Sequence, residues 1–317
     1  MVPARPLTRT VVLAVAFAIA GACSRTPEPA PRPAQGERDA RAAFERHQAQ
    51  WRAERREALL APDGWTTLMG LHWLSAGPHY VGTAHDNGVR TAVGPAQLGM
   101  IDVRPAGIRL VANPRAGLAV DGRALRGGVD LRTDENGAEP TRIGFDDGRG
   151  VATVIKRGDR YALRMRHVDA PTRTGFAGLA YWAGGPGWVV DARFVPHRPA
   201  RTLPITNIVG TVDSTPNPGA VVFEREGRQF RLEALDDGKG GLFLIFADRT
   251  SGHGSYGAGR YLDARAPDAR GGVRLDFNRA YNPPCAFTSF ATCPLPPPEN
   301  RLDLRIDAGE KAYAGRH

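Results

Sequence analysis

Lysine is nearly missing from this chain: Lys156, Lys239 and Lys311 stand against 39 arginines, in a sequence of 317 residues with net charge +9. The cations are scattered among acids and never form five like charges in a row. The excess therefore reads as compositional bias rather than a field built for nucleic acid, and no nucleic-acid partner is expected. Apolar runs long enough to span a bilayer are absent downstream of the first residues, so no membrane-crossing helix is predicted there. The phosphate loop Gly-x-x-x-x-Gly-Lys-Ser/Thr is missing. Eight histidines (47, 72, 79, 85, 167, 197, 253, 317) include no pair spaced two or four apart. No metal face can then be assembled locally, and no metal or cofactor is expected. Cysteine occurs only at 23, 285 and 293.

The start of the chain is an address. Arg5 and Arg9 precede an apolar stretch, Val11 to Ile19. Its roughly nine residues cover about 14 Å as helix, short of the roughly 30 Å hydrocarbon core. Residues 1–22 read as a signal peptide. Ala20-Gly21-Ala22-Cys23 resembles a bacterial lipobox, which implies cleavage before Cys23 and lipidation of its thiol. The departure is Ala20, where Leu is usual. Residues 23–36, with four prolines in a polar stretch, form an extended tether. The membrane is the expected partner through Cys23, and Ser24 carries no inner-membrane retention signal, so the outer membrane is favoured.

In the remainder, 38 glycines and 26 prolines make up about one residue in five. Such a share means many turns and argues against a helical bundle. Residues 37–60 carry the one helical pattern, with Phe44, Trp51 and Ala58 as a packing stripe. Pro62-Asp63-Gly64 stops it, so 37–62 is the helical segment. Beyond it, turn pairs such as Asp121-Gly122, Asn136-Gly137 and Glu226-Gly227 separate strand-length runs at 107–112, 150–156, 161–167, 188–195, 220–224 and 242–247. The spacing predicts a mainly β protein of antiparallel sandwich or barrel-like units, with a long Pro-rich C-terminal loop. Strand–helix alternation is absent, which argues against a doubly wound nucleotide fold. A first β-unit is placed at 63–170 and a second at 171–317.

The densest text lies between 246 and 310. FADRTSGHGSYGAGRYL (246–262), LDFNRAYNPPCAF (275–287) and CPLPPPENRL (293–302) are joined by Asp63-Gly64-Trp65 and Gly70-Leu71-His72-Trp73-Leu74. These blocks closely resemble the bacterial family labelled domain of unknown function 1684, over roughly residues 45–312. The resemblance implies a family and transfers no reaction.

Two chemistries are expected of the segment. In an acid–base site, His253 acts as base with Asp248 or Asp276 orienting it, near neutral pH. In a ligand pocket, Tyr256, Arg260, Asn278, Asn282 and Glu310 supply a phenol, a cation, two amides and an acid, with Arg260 gripping a carboxylate or phosphate. Against both stands a scaffold reading, with Arg260 and Asp276 as a buried ion pair that fastens two strands and Asn278 or Asn282 tying off loop amides. His253-Gly254-Ser255-Tyr256-Gly257 lacks the first Gly of a nucleophile elbow, and no long helix follows it. Cys285 and Cys293 are expected as a disulfide outside the cytoplasm, free buried thiols being the alternative. The leading expectation is an envelope lipoprotein binding a small polar or anionic ligand in its second β-unit. A metal-independent hydrolase and a structural envelope protein are the alternatives.

Overall fold

The computed structural model describes residues 1–2 and 34–315. The signal peptide, most of the tether and Cys23 lie outside the described residues. The chain divides into two compact units, Met1–Ala40 and Arg41–His317. In the first, Ala34 N–H donates to the Glu37 carboxylate where a helix begins. That helix, α1 (Gln35–Leu60), continues into the second unit. Among the described residues no helix is long and apolar enough to cross a membrane.

Helix α1 departs from its expected face. Only Gln48 and Leu59 are buried along it, and Ala58, expected in the packing stripe, is exposed. The inward row is Phe44, Gln48, Trp51, Arg52, Arg55 and Leu59, mostly half-buried and half polar. Its last carbonyls are satisfied from the body: Thr66 Oγ1 donates to Leu59 O and Arg173 Nε to Leu60 O at 2.8 Å.

The body is mainly β. In its first part the strands are β1 (Leu68–Leu74), β2 (Gly77–Gly82), β3 (Val89–Arg90), β4 (Gly99–Arg104), β5 (Gly107–Ala112), β6 (Ala119–Val120), β7 (Arg123–Ala124), β8 (Gly128–Leu131), β9 (Ile143–Phe145), β10 (Gly150–Arg157) and β11 (Arg160–His167). They form two sheets, β1-β11-β10-β9-β6-β7 and β3-β2-β4-β5-β8. Both contribute to one core, which includes Ile101, Leu110, Val154 and Leu163. All pairings are antiparallel except the two-residue β2–β3 contact.

In the second part, β12 (Val189–Thr206), β13 (Val212–Arg225), β14 (Arg228–Asp236), β15 (Leu242–Phe246), β16 (Arg260–Ala264) and β17 (Gly272–Asp276) form a sheet in the order β16-β15-β14-β13-β12-β17. It encloses Phe223, Phe246, Leu262, Phe277 and Ile306. A smaller cluster, with Leu68 beside Leu203, Ile245, Cys285 and Cys293, joins the two parts.

Strand β12 runs far past the expected end at Val195, through Pro196, Pro199 and Pro204. Proline lacks an N–H and is tolerated where a strand has an open side or a bulge. β17 covers only Val189 to Arg193 of β12, so the later prolines face an open side, and the β12–β13 register slips between Pro196 and Arg201.

After β17 the chain is irregular yet tied down by single bridges, including Tyr261 with Tyr281, Ala247 with Arg301, Asn207 with Pro294 and Tyr181 with Glu310. Cys285 and Cys293 form a disulfide within this segment.

Candidate functional site

The expected acid–base pair is not assembled. Asp248 follows β15, and Arg260 opens the neighbouring β16. Arg260 Nη2 lies 3.1 Å from Asp248 Oδ1, and both side chains are fully buried. The carboxylate also accepts from Thr250 Oγ1 at 2.9 Å and from Ile306 N–H at 2.8 Å. The guanidinium donates to the carbonyls of Ala308 and, at 3.1 Å, Ile306. Burial lowers the proton affinity of Arg260, and the Asp248 charge counters it. Every charge here is spent inside the wall, so neither residue is offered to a ligand. His253 lies outside this network: it is exposed, and its Nδ1 is 3.2 Å from Ser251 O. Ser255 is 1% exposed and takes the Trp182 indole N–H at 2.9 Å.

Asp276, the other acid expected beside His253 and the expected ion-pair partner of Arg260, belongs to a different cluster, and Asp248 takes the Arg260 guanidinium instead. It caps the turn after β17 by accepting Asn278 N–H at 3.1 Å, and it accepts Gln48 Nε2 from α1 at 2.7 Å. Asn278 clamps Gly185 in both directions: Oδ1 accepts its N–H at 2.8 Å, and Nδ2 donates to its carbonyl at 3.0 Å. Gly184 must approach that amide, since a Cβ there, at φ +59°, would lie 2.2 Å from Asn278 Oδ1. Tyr256 is half-buried and donates to Cys285 O at 3.2 Å, with burial raising its pKa.

Glu310 and Asn282 meet under α1. Asn282 N–H donates to Glu310 Oε2 at 2.8 Å, and Arg55 Nε lies 3.0 Å from Glu310 Oε1. Arg55 Nη2 also donates to Asn282 O at 2.9 Å. The expected residues thus fall into three groups, Asp248 with Arg260, Asp276 with Asn278, and Asn282 with Glu310, the first and third touching where Arg260 Nη1 donates to the Glu310 carbonyl at 3.4 Å. His253 and Tyr256 stand apart from all three.

One His–carboxylate pair does lie within hydrogen-bond reach, and it was not anticipated. His197 Nε2 is 2.7 Å from Glu233, a carboxylate shared by Arg201 and Arg231 at 3.0 Å each. Glu233 is 3% exposed. Burial works to raise its pKa, but the bonds from His197, Arg201 and Arg231 outweigh this and lower it. The pair fastens the register slip of β12 to β14.

A second unanticipated feature lies where the two β parts meet. Arg164, in β11, sits beside Leu71 of β1 and Thr153 of β10. It is 6% exposed. Among the described residues no carboxylate lies within ion-pair distance of it. Its Nη2 donates to Thr292 Oγ1 at 3.3 Å, and Arg157 Nε donates to the same oxygen at 2.9 Å. Arg157 has a partner in Asp134, at 2.9 Å. Burial, aided by the charges of Arg157 and Arg166, pulls the Arg164 guanidinium down to about 10. Thr292 and Arg157 line a cavity of about 250 Å³. Its walls include Ile205, Phe243, Ile245 and Pro294, with Asp213 and Asp236 also present. The sequence hid Arg164 because YALRMRH alternates like a strand with one wet face. Only the loop after Cys285, folding back over that face, makes it dry. Among the described residues no three His, Cys, Asp or Glu side chains are grouped to hold a metal ion.

Residues 174–311 match the model of a family described as a protein of unknown function, DUF1684. The chain belongs to the DUF1684 family. The matched segment is narrower than the 45–312 expected from the motifs. The chain is also similar to a solved solution structure, the uncharacterized protein from gene locus rrnAC0354 of Haloarcula marismortui. The two are 30% identical over 45% of this chain and 81% of that one, with a TM-score of 0.38. No curated protein matches the chain.

The DUF1684 segment therefore holds all the expected catalytic and ligand-binding residues and most of the cavity wall, including Thr292 and Pro294. Arg157, Arg164 and α1 come from outside it.

Proposed function

We propose that this DUF1684 protein is a non-catalytic binder of a small amphipathic anion, tethered at the cell envelope through lipidated Cys23, with the outer membrane as its destination. The envelope part rests on the leader, the lipobox-like Ala20-Gly21-Ala22-Cys23 and the proline-rich tether. The binding part rests on one observation: Arg157 and Thr292 line a cavity, and behind that wall the buried Arg164 guanidinium, with no carboxylate partner among the described residues, shares the Thr292 hydroxyl with Arg157. A buried cation without a counter-charge is costly, and an anion seated against Arg157 and Thr292 offsets that cost through the low-dielectric wall without touching Arg164. The apolar walls favour a ligand with a short hydrocarbon body. Asp213 and Asp236 disfavour a multiply charged head, so a monocarboxylate fits better than a phosphate.

The hydrolase reading has no comparable support. His253 has neither acid beside it, and the His197–Glu233 pair is absorbed by two arginines.

The test is mass spectrometry of small molecules released from the purified mature protein, with thermal-shift titration of short fatty carboxylates. A saturable response to a monocarboxylate is expected, weakened at least tenfold in Arg157→Met and Arg164→Met. Folded wild-type protein that carries no anion and ignores every carboxylate would leave the structural envelope reading in its place.

A further inference from the structure

Arg55 occupies a site built for a cation. The Glu310 carboxylate is fully buried. It is positioned without help from the helix, because Asn282 N–H holds Oε2 at 2.8 Å from within the C-terminal segment. That leaves Oε1 facing a recess whose other walls are the Asn282 carbonyl and two aromatic rings. The Arg55 guanidinium lies 4.7 Å from the centre of the Tyr281 ring and 5.8 Å from that of Phe287. A carboxylate, a carbonyl and aromatic faces are the chemistry that recognises an alkylated guanidinium or ammonium ion. All four groups belong to the DUF1684 segment; the cation does not.

The helix that delivers Arg55 is lightly held. Leu59, at its end, is its only fully buried apolar side chain. Its other anchors are mostly polar or half-buried: Gln48 on Asp276, Arg52 over the Tyr181 ring at 4.2 Å, and the Trp51 ring edge-on to Tyr181 at 6.4 Å. The seam keeps buried polar atoms without hydrogen-bond partners, among them Gln48 Oε1, Arg52 Nε, Tyr181 OH and Asn282 Oδ1. Little buried apolar surface and incomplete hydrogen bonding give a local contact of low stability. A preformed acceptor under a weakly seated donor has the form of a self-occupied binding site.

We infer that the Glu310–Asn282–Tyr281–Phe287 recess binds an alkylguanidinium ligand, and that Arg55 of α1 fills it in cis until that ligand displaces the helix. This site is separate from the anion cavity and independent of that reading.

The experiment uses the mature chain and its Arg55→Ala variant, with ethylguanidinium chloride as the probe and sodium chloride as the ionic control. Arg55→Ala is expected to bind the probe saturably, raising its Tm by about 3 °C at roughly tenfold excess over the apparent Kd. Arg55→Ala/Glu310→Gln loses the response. A blocked tripeptide with a central arginine forms a second arm. Binding of both probes identifies a polypeptide arginine as an admissible source, and binding of ethylguanidinium alone identifies a free small molecule. Hydrogen exchange on the wild type keeps the test independent of variant folding: the probe should speed exchange of amides 48–60 and leave those of β10 and β11 unchanged. A wild-type α1 whose exchange ignores the probe, or a folded Arg55→Ala that does not bind it or binds equally well without Glu310, overturns the inference.

Discussion

Replacing Arg164 with methionine should make the ligand-free protein more stable, which is unusual for a buried residue. Burial pulls the guanidinium from its ordinary range down to about 10 in the folded chain, a loss of more than a hundredfold in proton affinity. At 1.36 kcal/mol for each tenfold change in proton affinity, that is about 3 kcal/mol against holding the charge in place. The sign follows from the direction. A cation with a lowered folded pKa weakens the native state at every pH below that pKa, and the penalty lifts as pH rises through about 10. Methionine fills similar volume without the charge. It loses the hydrogen bond to Thr292 and the Trp65 ring 5.7 Å from the guanidinium, worth together about 1–2 kcal/mol. The net gain is about 1–2 kcal/mol, readable by urea unfolding at pH 7 as a higher midpoint with an unchanged slope. The same variant should lose its carboxylate response. Buried groups that burden the empty state and serve the occupied one are a recurring feature of binding sites. A variant destabilised by more than about 2 kcal/mol would refute the reasoning, because it would mean that Arg164 is satisfied in the empty protein.

Other outcomes follow from the same structure. Asp248→Asn should cost about 3–5 kcal/mol in urea unfolding, because it leaves Arg260 buried beside a neutral amide; Arg260→Met added to it should recover part of the loss. Glu233 has a lowered folded pKa, so its contribution is complete above its unfolded value of about 4.3 and disappears as pH falls through the folded one. The wild-type midpoint should therefore drop on acidification below about pH 4.5 more steeply than that of Glu233→Gln, measured by circular dichroism. Removing the Cys285–Cys293 crosslink by double serine substitution should lower stability by about 2.5 kcal/mol on the loop-entropy relation. An unchanged midpoint would show that the loop is held by its bridges alone.

Much of the architecture was legible in the residue order. The helix, the strand runs at 107–112, 150–156 and 161–167 and the mainly β class follow from local periodicity and turn chemistry. The strand ending at Thr206 is legible only as far as Val195, because the prolines that follow break the apolar run and only an open sheet side makes them harmless. The site was less legible. Asp248 is expected to orient His253 and Arg260 to grip an anion, yet their pairing with each other and their bonds to Ile306 and Ala308 turn them into wall. Arg55 and Arg164 looked like surface cations on a helix and a strand. Nothing in their neighbours announced Glu310 or Thr292, each more than a hundred residues away.

The order of residues alone determined where the backbone turns, which period each stretch keeps, and the family blocks that mark residues 246–302. Those properties depend on neighbours a few positions apart, through sterics and side-chain direction. Folding decided which charges are dry, which are neutralised, and which face an unfilled recess. Such outcomes depend on distances between segments remote in the chain, and on how much water lies between them.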